Sequence, residues 1–254
     1  MTDFIQATLN AGLQIARSLN VRTPNLYAKH ARGAGGDISI GADLLSEEIF
    51  ITQLSAFGNI DSEEAGFIDN KKAHTIVIDP LDGSDNFLSQ IPYYGASVAL
   101  KNAESSGNFA ESKLDSALDS ANIGIIMNFC NLSAVVSLRG KNYYGNLAGD
   151  FKSFGTNPPT NPPKCGIFEG AYRNPHICEI LHKNNIKFRS LGALALSLGL
   201  SERVNFVLFD GKKRHYDFEA GFLVAQNLHK IEGQNLVLIS KDKILFDKIS
   251  NLLF

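Results

Sequence analysis

Little in this sequence is extreme, and each shortage removes a class of function. The three cysteines, Cys130, Cys165 and Cys178, are odd in number and lack CxxC spacing. That argues against a disulfide framework and a structural zinc site, and it fits a reducing cytoplasm. Charge of one sign is missing too: 24 Lys and Arg against 26 Asp and Glu leave a formal −2, so no overall field draws in a nucleic acid polymer or an anionic membrane. The densest basic cluster, Gly211 to His215 ("GKKRH"), reads either as a solvated turn or as a grip on an anionic substrate. No apolar run approaches the roughly 20 residues of a membrane span. There is no internal repeat, and the 254 residues with 44% hydrophobic and 20% charged content suit a globular chain folded as two packed lobes.

The opening segment "MTDFIQATLNAGLQIARSLN" spaces Phe4, Thr8, Ala11, Ile15 and Leu19 along one helix face and is predicted to be an amphipathic helix, not a signal peptide. A glycine-rich loop, "KHARGAGGD", follows, then a second predicted helix within "ISIGADLLSEEIFITQL" with Asp43 near its start. After the polar connection "NIDSEEAGF", the β-branched "HTIVID" predicts a strand ending at Asp79. "YYGASVALK" with "NIGIIMNF", and "LSAVVSLR" with "KNYYGN", predict antiparallel strand pairs. The Ser-rich stretch from Asn102 to Asn122 reads as a surface insertion, and "TNPPTNPPK" at Thr156 to Lys164 as a stiff connector. The connector sets the expected lobes at residues 1–157 and 158–254. Beyond it come predicted strands in "GIFEGAY", "IKFRSL" and "VNFVLFD", and predicted helices in "NPHICEILHKNN", "GALALSLGL" and "DFEAGFLVAQNLHK", the last with Asp217 just before it.

The chemistry concentrates in "DPLDGSDNF", which sets Asp79, Asp82 and Asp85 within seven positions. Three like charges that close require open water or a cation. The spacing is not that of an EF-hand, because the final ligand place holds Gln90. Asp79, Asp82 and the Leu81 carbonyl flank a Pro-Leu turn at a strand end, an oxygen donor set suited to Mg2+. Gly83 and Ser84 come next, where backbone N–H groups opening a helix can seat a phosphate. Standing alone, the stretch also reads as an Asp-rich turn with Asp85 as a plain cap. It has company in "SEE" (Ser62 to Glu64) upstream and in Asp217 within "HYDFEAGF", the latter either a helix cap or a partner in the same cluster.

Taken together, "DPLDGSDNF", the upstream "SEE" and the downstream "YDFEAG" closely resemble the three signatures of the inositol monophosphatase family, which is grouped with fructose-1,6-bisphosphatase and bisphosphate nucleotidase among lithium-sensitive, Mg2+-dependent phosphatases. The likeness runs from the first helix to the last. It implies an α+β fold, a layered αβαβα sandwich in two lobes, normally dimeric. It implies that Glu63, Asp79 and the Leu81 carbonyl hold a first metal, that Asp79, Asp82 and Asp217 hold a second, and that Glu63 helps place a third. By the same resemblance Ser84 and Glu63 orient the attacking water, Asp43 supports that network, Gly83 and Ser84 bind phosphate through their N–H groups, and Asp210 contacts substrate hydroxyls. About two or three Mg2+ would then explain five converging acids and supply an acidified water.

The sequence departs from the family pattern in places. Ser84 stands where Thr is most frequent, Arg32 about where a substrate-side Lys is usual, and Tyr216 where Trp usually precedes the aspartate. "AQNLHK" replaces an acidic, double-Gly ending. These changes bear on the leaving group more than on the acids. The expected function is a Mg2+-dependent phosphomonoesterase of a small polyol or sugar phosphate, inositol 1-phosphate being the family default. Fructose-1,6-bisphosphatase and 3′(2′),5′-bisphosphate nucleotidase are alternatives, disfavoured by the negative Asp85. An alternative of another class is a weakened enzyme turned binding partner, using the stretch 102–122.

Overall fold

The apolar run Ile76, Val77 and Ile78 is buried on both faces because it lies inside the largest sheet. In the computed structural model, which describes residues 2–102, 122–156 and 162–254, the chain opens with α1 (Thr2–Asn20), the ribbon β1 (Lys29–Arg32) and β2 (Ile38–Ile40), and α2 (Gly41–Leu54). Then come β3 (Asn59–Ser62), β4 (Gly66–Ile68), β5 (His74–Asp82) and the short α3 (Ser84–Leu88). The next strands are β6 (Gly95–Asn102), β7 (Ile123–Asn128), β8 (Ser133–Leu138) and β9 (Lys141–Asn146). These seven strands lie in the order β4-β3-β5-β6-β7-β8-β9, antiparallel except for the parallel β3–β5 pair.

The remaining elements are β10 (Gly166–Glu169), α4 (Pro175–Lys183), β11 (Phe188–Arg189), α5 (Leu194–Gly199) and β12 (Val207–Asp210). They are followed by α6 (His215–Val224), β13 (His229–Glu232), β14 (Leu236–Ser240) and α7 (Lys243–Leu253). Their strands make the second sheet, ordered β11-β10-β12-β14-β13.

Side-chain alternation along the strands builds the layers. Ile76 and Ile78 of β5 face one way, joining Phe4, Ile15 and Leu19 of α1 and Phe50 and Leu54 of α2. Val77, between them, faces the other way, against Leu196 of α5 and Ala220 and Val224 of α6. The far sides of α5 and α6 then pack Leu194, Leu198 and Phe218 on Val207, Val237 and Ile239 of the second sheet. That sheet's outer face carries Phe168, Leu208 and Leu238 against Leu181 of α4 and Ile249 of α7. The result is an αβαβα sandwich, as the resemblance implied. Each fully buried Leu, Ile or Phe contributes about 1.5–3 kcal/mol.

The predicted helix face of α1 is the buried one: Phe4, Thr8, Ala11, Ile15 and Leu19 all lie inside. Other expectations need correction. "KHAR" is a strand and not a loop, and the polar "NIDSEEAGF" contains two strands, because pairing to β5 overrides its composition. The strand expected to stop at Asp79 continues to Asp82, with its pairing to β6 shifting between the two aspartates. Pro80 sits in that irregular stretch, where its missing N–H interrupts no regular ladder. The helix after Asp210 begins earlier than expected, at His215, and ends at Val224, so Asp217 is within its first turn. The expected surface insertion falls largely on residues 103–121, and the heart of the proline connector on 157–161; both lie outside the described residues.

Candidate functional site

Strand register brings the first two acids together. Ser62 of β3 pairs with Ile78 of the parallel β5, and the Glu63 N–H donates to the Ile78 carbonyl at 3.1 Å. Glu63 therefore leaves the sheet beside Asp79. Within the irregular end of β5, the Leu81 N–H donates to Asp79 Oδ1 at 3.1 Å, folding that carboxylate back over its own turn. Asp82 Oδ2 accepts from the Leu196 N–H in the first turn of α5 at 2.8 Å. The layer between the sheets supplies the last acid, Asp217, from the first turn of α6. One carboxylate oxygen each from Glu63, Asp79 and Asp217 lie within 4.8 Å of one another.

All four acids are nearly closed to solvent: Asp79 is 2% exposed, Asp217 4%, Asp82 7% and Glu63 9%. Burial penalises their charged forms, and each acid adds to its neighbours' difficulty. Burial first, then Glu63 and Asp82, hold Asp79 well above the ordinary carboxylate range. Asp82 is raised in the same way, although its bond from Leu196 pulls it down. Burial pushes Glu63 up to about 7 against the opposing pull of Arg214, and Asp217 is raised by burial despite the same arginine.

A hard divalent cation fits this donor set. The donors are all oxygen, which suits Mg2+ over softer metals. Mg2+ bonds of about 2.0–2.1 Å place neighbouring ligand atoms about 2.9 Å and opposite ones about 4.2 Å apart, so the cluster must draw in to grip the ion.

Beside the acids sits a second constellation. Asp43 lies in the first turn of α2, where its Oδ2 accepts from the Ile40 N–H at 2.7 Å. Its Oδ1 is 2.8 Å from the Ser84 hydroxyl, which is also 3.0 Å from the Leu81 carbonyl. Burial pushes Asp43 up to about 6. Gly83, just before α3, has φ 88° and ψ 37°, a left-handed conformation that disfavours a side chain. A Cβ there would stand 3.0 Å from the Tyr93 carbonyl oxygen and 3.1 Å from the Ala193 Cβ. Gly83→Ala is therefore expected to cost about 1–3 kcal/mol and to lower Tm by about 2–10 °C, as thermal denaturation would show.

The structure thus gathers Asp43, Glu63, Asp79, Leu81, Asp82, Gly83, Ser84 and Asp217. Arg32 donates from Nη1 to the Gly36 carbonyl at 2.6 Å, within the exposed ribbon whose turn also carries Asp37. Asp210 ends β12 and offers its carbonyl to Arg173 at 3.1 Å. The residue that sequence reasoning left undecided is Arg214, inside "GKKRH". Its Nε and Nη2 donate to the two oxygens of Asp217 at 3.0 and 3.2 Å, and its Nη1 to Glu63 Oε1 at 2.5 Å. The signal was available, because a basic residue three positions before an acid at a helix start meets it on the same face.

Residues 4–105 match the inositol monophosphatase family, a stretch that includes Asp43, Glu63 and Asp79 to Ser84 but ends before Asp217. A fructose-1,6-bisphosphatase of Pyrococcus furiosus is 41% identical over 66 residues, 26% of this chain and 26% of that protein. A fructose-1,6-bisphosphatase/inositol-1-monophosphatase of Thermococcus kodakarensis is 39% identical over 95 residues, 35% of this chain and 37% of that protein. The matched region thus spans between 26% and 37% of these two relatives' length. In three dimensions the likeness is broader: the extragenic suppressor protein suhB from Bartonella henselae superimposes with a TM-score of 0.74 at 20% identity, covering 98% of this chain and 97% of that one. Over residues 4–105 the chain carries the sequence of the inositol monophosphatase family, and over nearly its whole length it has the fold of that solved protein.

Proposed function

We propose that the protein is a Mg2+-dependent phosphoric monoester hydrolase acting on a small polyol or sugar phosphate. The observation that carries this reading is the convergence of Glu63, Asp79 and Asp217 oxygens within 4.8 Å in a buried site, next to the hydrogen-bonded Ser84 and Asp43. The names of relatives, fructose-1,6-bisphosphatase and inositol-1-monophosphatase, lend it further support.

In this reading Glu63, Asp79 and the Leu81 carbonyl hold one ion and Asp79, Asp82 and Asp217 another, with Glu63 helping to place a third. Bound Mg2+ supplies neutralisation of the ester oxygens and an acidified water. The chain's own groups do the positioning. The Ser84 hydroxyl has one proton, directed to Asp43 or Leu81, so its lone pairs are free to accept from the attacking water and to aim it at phosphorus. Asp43, raised to about 6, stands behind Ser84 as an acceptor suited to near-neutral pH. Gly83 and Ser84 N–H groups seat the phosphate, and Asp210 meets the hydroxyls of the leaving group. Residues 1–157 form the lobe with most ligands, and residues 158–254 deliver Asp217.

Asp85, exposed beside the seat, disfavours a second phosphate at that edge, so a monophosphate is the expected preference. Three unpaired cysteines accord with a cytoplasmic setting. No helix among the described residues is long and apolar enough to cross a membrane. A homodimer is the expected assembly, to be checked by light scattering.

The deciding experiment is phosphate release from inositol, sugar and nucleotide phosphates, with Mg2+ and with EDTA. Mg2+-dependent release from a monophosphate supports the proposal; preference for a bisphosphate reverses the substrate order, and silence from folded protein across the panel rejects hydrolysis. The two adjacent glutamates give a finer check. Glu64 is partly exposed and accepts from the Ser39 hydroxyl, whereas Glu63 faces Arg214 and the acids. Glu63→Ala is expected to lower kcat/KM at least about tenfold further than Glu64→Ala, and the opposite order would reassign the ligand.

A further inference from the structure

Arg214 occupies an unusual place for a permanent cation. Its guanidinium is engaged on three sides: both oxygens of Asp217 at 3.0 and 3.2 Å, Glu63 Oε1 at 2.5 Å, and Asp37 Oδ2 at 2.7 Å. Asp217 and Glu63 are two of the three acids whose oxygens converge within 4.8 Å. The third, Asp79, is close enough to strengthen the arginine's hold on its proton. A planar fork against a carboxylate is the strong geometry for such a pair. The third bonded partner differs in kind. Asp37 lies in the turn between β1 and β2, its side chain 81% exposed, while those of Glu63 and Asp217 are 12% and 6% exposed.

We infer that Arg214 and a divalent cation are alternative occupants of the same carboxylate oxygens, the cation displacing the guanidinium when it binds. The inference rests on the phosphatase reading only for the presence of a cation. Mg2+ requires direct contacts of about 2.0–2.1 Å in near-octahedral geometry, and in the structure both Asp217 oxygens and Glu63 Oε1 are committed to Arg214. A divalent ion gripping those oxygens would also stand within a few ångströms of a fixed positive charge, which repels it strongly in so buried a setting. Displacement answers both objections, and Asp37 offers a wet landing place on the open side. Arg214 then has two effects. It bridges Glu63 and Asp217 and so holds the site together before the cation arrives, and it weakens the apparent affinity for the cation, since only the fraction of molecules with Arg214 withdrawn is competent to bind.

The test uses Mg2+ alone, with no phosphate ester. Titrating EDTA-stripped protein with Mg2+ and following the Arg214 Nε–H resonance by NMR, assigned through the chain and confirmed by its loss in Arg214→Gln, should show the protected signal disappearing as Mg2+ saturates. Isothermal calorimetry should find the Mg2+ Kd of Arg214→Gln tightened about tenfold or more, with Arg214→Lys, which keeps the charge but loses the fork, in between. A resonance that persists at saturating Mg2+, or an Arg214→Gln Kd that is unchanged or weaker, overturns the inference. Mg2+-dependent phosphate release accompanied by a persistent signal would leave the proposed function standing and remove this inference alone. Failure of Mg2+ to bind either protein would remove both.

Discussion

Asp79→Asn is expected to abolish nearly all Mg2+-dependent phosphate release while making the EDTA-stripped protein more heat-resistant. The two effects have one cause. Asp79 is 2% exposed and faces Glu63, Asp82 and Asp217, so its charge is costly unless a cation shares it. As a ligand to two ions in the proposed arrangement, it supports charge stabilisation worth several kcal/mol. At about 1.4 kcal/mol per tenfold, its loss should slow turnover by about 10²- to 10³-fold. Asn keeps the shape and removes the charge, so the stripped variant should gain about 1–2 kcal/mol and about 2–8 °C in Tm. The check is kcat with saturating Mg2+ and Tm with EDTA on the same preparation. Unchanged turnover would take Asp79 out of the site, and a lower Tm would mean that its hydrogen bond from Leu81 outweighs the charge.

The second large effect is the response to Mg2+ and pH together. Burial raises Glu63 to about 7 and Asp43 to about 6, from ordinary values of 4.5 and 3.8. These are acids whose folded-state pKa lies above the unfolded one, so between those values the folded state binds more protons. The contribution of these two acids to the stability of the stripped protein therefore falls as pH rises from about 4 to about 7, and Asp79 and Asp82, raised in the same direction, add to the fall. Mg2+ binds the ionised acids and opposes that loss. At a hundred times its Kd it adds about 2.7 kcal/mol, or about 5–10 °C in Tm for a chain of this size. Calorimetry at pH 8 should show that full rise, and at pH 5 much less, since protons then hold the same oxygens. Stripped protein that becomes more stable between pH 4 and 7 would contradict the placement of these acids.

How far the site could be read from the sequence depended on whether each residue's neighbours are near it in the chain. Asp79, Leu81, Asp82, Gly83 and Ser84 are consecutive or nearly so, and a strand end with a Pro-Leu turn was enough to bring them together. Glu63 was legible at one remove, because a short connection into the next strand puts it beside Asp79, although the strands β3 and β4 on either side of it were read as loop. Their polar composition hid the pairing of β3 with the parallel β5 and of β4 with β3. Arg214 was visible as a charge but not as a contact, since Glu63 lies 151 positions away. The last two strands and α7 escaped prediction, and the end of α6 was placed too late. "AQNLHK" has no glycine or proline to mark the helix stop, which here comes from the need of β13 to pair with β14.

The position of α6 has a consequence for how the protein folds. The helix is clamped between the two sheets, with Val224 against one and Phe218 against the other. Asp217 therefore reaches the acids of the first sheet only after both halves of the chain have collapsed onto a common layer, a contact of long sequence separation and so among the later ones to form. An incompletely docked intermediate would hold Asp79 and Asp82 but no closed cage. High-affinity cation uptake should consequently lag behind secondary structure during refolding, which makes the metal a stopwatch for the final docking step.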